Sequence, residues 1–284
     1  MTFNVLPPAV WTAVAGVFGL VIGSFLNVVI YRWPREESIV LPASHCGACD
    51  APIKPYDNIP LLSYVLLGGK CRACKARIPI RYPLVEALTG LLYVAVFTVK
   101  GPGAEALADV VFVTMLIPLI FIDAEWQLLP AAITHPGLVY ALAVRIFVPN
   151  LAGMGTSMFG GAWLFGLHDS PEWFVSFAGA ALGATFGGGL LFVVSVAYRL
   201  IRKREGLGLG DVSMMCMIGA YLGWELTLLT ILLGSLVGAI TGMAMLRGER
   251  MSEFKLPFGV FLGIGAIVAL LFGERLISLY LRLF

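Results

Sequence analysis

VWTAVAGVFGLVIGSFLNVVI, running from Val10 to Ile30, carries no charged side chain. A helix of about 20 apolar residues crosses a hydrocarbon layer about 30 Å thick. Lipid offers no partners to peptide N–H and C=O groups, so such a segment must bond them internally, as a helix. The run starts near Pro8 with no basic leader and passes Ile30 without a small-residue cleavage site. It reads as a retained first helix rather than a removed signal peptide.

Seven more apolar runs follow, which predicts spans at 10–31, 84–100, 106–122, 131–148, 173–198, 211–225, 226–246 and 257–274. The chain of 284 residues is 59% hydrophobic and 13% charged, too poor in charge to surface a soluble domain. The expected fold is therefore an all-α polytopic membrane protein of about eight transmembrane helices, with a small cytoplasmic zinc-knuckle insert. Its organisation reads as a first transmembrane helix (1–31), a cysteine-rich insert (32–83) and a seven-helix membrane core (84–284). The span at 211–225 is short. The Gly-rich stretch 151–167 reads as a loop, a re-entrant piece or part of a span.

Basic residues orient the bundle. Arg32, Arg35, Lys54, Lys70, Arg72, Lys75, Arg77 and Arg81 lie in the insert; Arg199, Arg202, Lys203 and Arg204 follow the fifth run, and Arg247, Arg250 and Lys255 the seventh. Placing these regions inside puts fifteen of the chain's 19 Lys and Arg on the cytoplasmic side, as the positive-inside bias expects, with both termini outside. Net charge is only +2, so the basic loops reflect topology and contact with membrane lipids, and no nucleic-acid partner is expected.

The insert holds Cys46-Gly-Ala-Cys49 and Cys71-Arg-Ala-Cys74. Two such knuckles can offer four thiolates to one tetrahedral Zn²⁺, which would fold a piece too small for a good core. Disulfides are the rival reading, set against a reducing compartment; a redox Cys-x-x-Cys is another, set against the duplicated knuckle and the absence of a βαβ context. His45 could replace one ligand or be a loop residue, and Cys216 reads as packing. Ile59 to Leu67, between the knuckles, could lie on the membrane face or beneath the zinc fold.

Ionised carboxylates are costly in hydrocarbon, so acids at span ends are informative. Asp123 ends the third span in Ile122-Asp123-Ala124-Glu125, and Asp211 follows Gly208-Leu209-Gly210 at the start of the sixth. The topology carries both to the inner face. Two neighbouring carboxylates can share a proton, one serving as base toward water and the other as acid toward an amide. Gly208 and Gly210 would let the backbone come close to a substrate or a helix. The bland alternatives are an N-cap for Asp211 and a hydrated interfacial acid for Asp123. Glu86, at the inner end of the second span, is either an interfacial acid or a site residue. Ser24 and Asn27 read as polar glue between helices or as a substrate contact. The chain has only three histidines and no H-E-x-x-H, no phosphate loop and no G-x-G-x-x-G, so zincin, P-loop and dinucleotide chemistry are excluded.

Taken in order, Gly23-Ser24-Phe25-Leu26-Asn27, the paired knuckles around Tyr56-Asp57-Asn58-Ile59-Pro60, Arg81-Tyr82-Pro83-Leu84-Val85-Glu86, Ile122-Asp123-Ala124-Glu125 and Gly208-Leu209-Gly210-Asp211 resemble the bacterial type 4 prepilin peptidases, membrane aspartic proteases of the GxGD type. The resemblance covers most of the chain. It implies a catalytic dyad of Asp123 and Asp211, and removal of the leader from type 4 prepilins or type II secretion pseudopilins at a Gly/Phe junction on the cytoplasmic face of the bacterial inner membrane. It also implies S-adenosylmethionine-dependent N-methylation of the new terminus, with Glu86 the cofactor-binding candidate by resemblance and location. No metal is expected at the dyad. The chain departs from the family in having Ala131 after Pro130, where an Asp is common, and Ser213 in place of a Lys. An ion- or proton-coupled transporter and a non-catalytic secretion-system component are the competing expectations.

Overall fold

The computed structural model describes residues 7–149, 151, 170–203, 208–245 and 256–283. The 151–167 expectation, apart from Leu151, lies outside them, as do His168, Gly206, Leu207, Arg204, Arg247, Arg250 and Lys255. The described chain is helical, with two isolated β-bridges in the insert. It divides into two units, Met1–Pro118 and Leu119–Phe284. The boundary falls at Pro118, inside a helix, where proline interrupts the hydrogen-bond ladder.

In the first unit, α1 (Pro8–Arg32) packs along α3 (Arg81–Lys100). They run antiparallel, because Gly16, Gly19 and Gly23 meet Val94, Gly90 and Glu86 in reverse order. A Cβ on Gly19 would stand 2.9 Å from Gly90 Cα, and one on Gly23 2.8 Å from Glu86 Cα. This stripe of small residues brings the two backbones together where the hydrophobic effect between helices is weak. Asn27 then ties α1 to α3, its Nδ2 donating to the Tyr82 carbonyl at 3.0 Å. A short helix, α2 (Leu62–Leu66), lies in the insert, and α4 (Ala104–Trp126) closes the unit and continues into the next.

The second unit gathers α5 (Ala131–Phe147), α6 (Glu172–Arg202), α7 (Leu209–Leu222), α8 (Trp224–Met245) and α9 (Phe258–Leu281). α7 is its axis, packed against α5, α6, α8 and α9. Met214, Met215, Met217, Ile218, Ala220, Tyr221 and Leu222 are all fully buried, as expected of a helix apolar on every side. Its closest neighbour is α6: a Cβ on Gly183 would collide with the Gly219 carbonyl, and one on Gly188 with Cys216 Sγ. Cys216 is thus the packing residue expected. At the far end of α7, buried Arg145 donates to the Tyr221 carbonyl at 2.7 Å, satisfying an acceptor left free by the helix end.

Among the described residues six helices are long and apolar enough to cross a membrane: α1, α3, α4, α6, α8 and α9. The fourth and sixth of the eight expected spans are shorter apolar helices, α5 and α7. The physical reason for α7 is its burial. A helix enclosed by protein does not have to match the lipid thickness.

Candidate active site and metal centre

Asp123 sits in the last turn of α4 and is 5% exposed. Its Oδ2 accepts the N–H of Val260 at 3.0 Å. Val260 is the third residue of α9, after the N-cap Pro257, Phe258 and Gly259. The first N–H groups of a helix lack their i−4 partners, and the Val260 N–H, which otherwise makes only a long 3.3 Å bond to the Pro257 carbonyl, is capped by Asp123 from another helix.

Asp211 stands differently. The N-cap of α7 is Gly208, which places Asp211 at the third helical position. Its Oδ2 accepts the Gly208 N–H at 3.2 Å. That is half of a capping box; Gly208 has no side chain to supply the other half. The simple N-cap reading of Asp211 therefore gives way to a carboxylate folded back over the start of its own helix.

The two acids, 88 positions apart in sequence, come within direct electrostatic reach of each other. Leu129 joins their surroundings. A Cβ on Gly210 would lie 2.9 Å from Leu129 Cβ, and a Cβ on Gly259 3.0 Å from Leu129 Cδ1 and 2.9 Å from Asp123 Oδ2. Each carboxylate thus meets the N-terminus of a helix, with Leu129 wedged between two glycines. Of the two departures from the expected pattern, Ala131 is exposed at the first position of α5 and Ser213 is half-buried on α7. Val260 and Gly259 carry no motif in the sequence, although Pro257 before an apolar run is a helix-start signal.

In the insert the thiols of Cys46, Cys49, Cys71 and Cys74 lie within 4.8 Å of one another. All are free thiols, so the disulfide alternative does not hold. Cys46 Sγ and Cys74 Sγ are 3.8 Å apart, the edge of a tetrahedron with metal–sulfur bonds of about 2.3 Å. The two knuckles repeat each other. The N–H of Cys46 reaches the Ala51 carbonyl at 2.9 Å and that of Cys71 the Ala76 carbonyl at 2.8 Å; His45 bridges Pro52 as Lys70 bridges Arg77. In each, the residue after the second cysteine takes a positive φ, 53° at Asp50 and 61° at Lys75. The Cys74 and Ala73 N–H groups hold the Cys71 thiol down at about 6. His45 stays out of the cluster, its Nδ1 bonded to the Ala43 carbonyl at 3.1 Å.

Glu86 is 9% exposed in the second turn of α3. Its Oε2 accepts the N–H of Leu61 at 2.8 Å, and Ser24 also bonds its carboxylate. Leu61 precedes α2 with φ 59° and ψ −46°, a backbone state that a branched residue seldom adopts. The carboxylate therefore holds a strained loop onto the α1–α3 pair. Beyond it Leu62, Val65 and Leu66 are exposed, so α2 does not pack beneath the cysteine cluster.

Residues 17–99 match the Bacterial Peptidase A24 N-terminal domain and residues 110–243 match the Type IV leader peptidase family. The chain is 35% identical to a protein of Pseudomonas putida over 99% of its own length and 98% of the relative's. It is 36% identical to one of Aeromonas hydrophila (98% and 96% covered) and 37% identical to one of Pseudomonas aeruginosa (93% and 91%). Each of these relatives is named "Prepilin leader peptidase/N-methyltransferase". No solved structure matches the chain.

Proposed function

The chain belongs to the type IV leader peptidase family, and we propose that it removes prepilin leaders with Asp123 and Asp211 as the proteolytic pair and then methylates the new amino terminus. One observation carries the proteolytic half: two carboxylates far apart in sequence, each meeting a helix N-terminus, interact electrostatically within one unit. In the reaction one carboxylate accepts a proton from water as its oxygen attacks the scissile carbonyl carbon. The other, protonated, gives its proton to the carbonyl oxygen. Collapse of the tetrahedral carbon breaks the C–N bond, and a proton passes to the leaving nitrogen. The products are a leader ending in a carboxylate and a pilin beginning with a free amine. Either aspartate can start as the acid, because the proton belongs to the pair.

Zinc is the metal we assign to the four cysteines, whose spacing fits a tetrahedral thiolate site; its role is to fold the insert. S-adenosylmethionine supplies the methyl group when bound. Glu86 supports that half by fixing the loop before α2, and its anionic character suits a donor that carries positive charge. The basic insert and loops favour a cytoplasmic position for both chemistries in an inner membrane. Pseudopilins of a secretion system would present the same leader chemistry as prepilins. The transporter alternative finds no support in the family or its named relatives.

The test is leader removal from a prepilin by the purified, reconstituted chain. Asp123→Asn and Asp211→Asn should each reduce cleavage by roughly a hundredfold or more. Full cleavage by either variant rejects the pair.

A further inference from the structure

We infer that Gly259, together with the N–H of Val260, positions the Asp123 carboxylate for proteolysis, a reading that rests on the assignment of Asp123 to the pair. Gly259 lies C-terminal to the family match at 110–243 and belongs to neither glycine of the Gly208-Leu209-Gly210-Asp211 segment. It is the second residue of α9. Its φ is ordinary, so nothing in the backbone demands glycine there. What demands it is the neighbour.

A Cβ at this position would lie 2.9 Å from Asp123 Oδ2, and 3.0 and 3.1 Å from the two methyls of Leu129. These are the ends of side chains and not backbone, so an added methyl can be housed by small rotations. The fold tolerates that movement. The carboxylate does not tolerate it in the same sense, because Oδ2 is the atom that receives the Val260 N–H at 3.0 Å. Rotating it away lengthens that bond and changes its approach to Asp211. The missing Cβ at Gly259 thus lets the start of α9 come close enough to hold the carboxylate from the side.

The contrast with other glycines of the unit supports this. At Gly183 and Gly219 the colliding atoms are backbone carbonyls of the facing helix, which marks a packing role. At Gly210 the nearest atom is Leu129 Cβ. Among the described glycines, Gly259 has a contact under 3 Å with the carboxylate of a proposed catalytic residue.

The experiment measures prepilin cleavage by the full chain in lipid for wild type, Gly259→Ala, Gly259→Ala with Leu129→Ala, and Asp123→Asn. Thermal midpoint and methylation of an already cleaved pilin are measured on the same samples. Gly259→Ala should lower kcat by about tenfold or more and leave KM within about twofold, as a displaced reacting group does. Its midpoint and its methylation of cleaved pilin should stay at wild-type values. Removing Leu129's bulk should not restore cleavage, since the crowding of Asp123 remains. A kcat equal to wild type overturns the inference, as does recovery in the double variant or parallel loss of cleavage, midpoint and methylation. Active Asp123→Asn would instead strike at the pair itself, whereas an inactive Asp123→Asn beside a fully active Gly259→Ala sinks the positioning role alone.

Discussion

Glu86→Ala should separate methylation from cleavage. The substitution removes the acceptor of the Leu61 N–H, a bond of 2.8 Å to a carboxylate that is 9% exposed. A hydrogen bond to a charged group contributes about 1.5–3 kcal/mol. The backbone state of Leu61 costs on the order of 1–3 kcal/mol and persists only while its surroundings enforce it. Losing the bond therefore releases a loop that already favours other conformations. At about 1.4 kcal/mol per tenfold, the loop's native population falls by roughly 10- to 100-fold relative to its alternatives. If that loop serves methyl transfer, the methylation rate falls by up to the same factor, as the native fraction of the loop sets it. Glu86→Gln keeps an acceptor oxygen without the charge and should recover about half of the lost free energy. The assay is mass spectrometry of pilin incubated with the reconstituted chain and S-adenosylmethionine, which reads leader removal and the added methyl group in one spectrum. Cleavage should remain within about twofold of wild type if methylation alone is affected. Equal loss of both activities, or wild-type methylation by Glu86→Ala, refutes the reasoning.

Two further outcomes follow from the packing and the cysteine cluster. Cys49→Ser should lower bound metal below one per chain, and in the wild type metal should leave as the pH falls, because each thiol must lose a proton to ligate and protons compete for it. Elemental analysis of dialysed protein across a pH series checks both, and unchanged stoichiometry in Cys49→Ser counts against four-cysteine ligation. Gly183→Ala should destabilise the second unit by about 1–3 kcal/mol, since the collision is with the Gly219 backbone and cannot be relieved by a side-chain rotation. Gly189→Ala, with nothing within 4 Å, is its control, and equal thermal midpoints for the two variants would contradict the close α6–α7 contact.

The helices were legible because lipid enforces long apolar runs, and α1, α3, α4, α6, α8 and α9 fall where those runs lie. α5 and α7 show where that logic stops. Hydropathy reports that a segment avoids water, but it does not say whether lipid or protein replaces the water. The protein around α7 lets its 14 residues suffice. The cysteine cluster was legible from spacing, since a repeated knuckle is a local signal. Asp123 and Asp211 were each visible as misplaced charges, yet their partners were not: the Val260 N–H that meets Asp123 comes from 137 positions away. A missing Cβ at Gly259 leaves no trace in composition or period. Only the facing atoms give it meaning.

The proposed chemistries divide along the same line as the chain. Asp123, Asp211, Leu129 and Gly259 belong to Leu119–Phe284, whereas Glu86 and the four cysteines belong to Met1–Pro118. Chemistry nevertheless orders the two reactions. Before hydrolysis the acceptor nitrogen is an amide, its lone pair delocalised into the carbonyl and unable to attack a methyl donor. Hydrolysis frees it as an amine. A chain lacking either aspartate must then fail to methylate an intact prepilin, yet retain the capacity to methylate a cleaved one. On the proposed role of Glu86, a chain lacking it should cleave normally and methylate the product slowly. That asymmetry distinguishes two sites acting in sequence from one site with two products, since a shared site would lose methylation of cleaved pilin together with proteolysis.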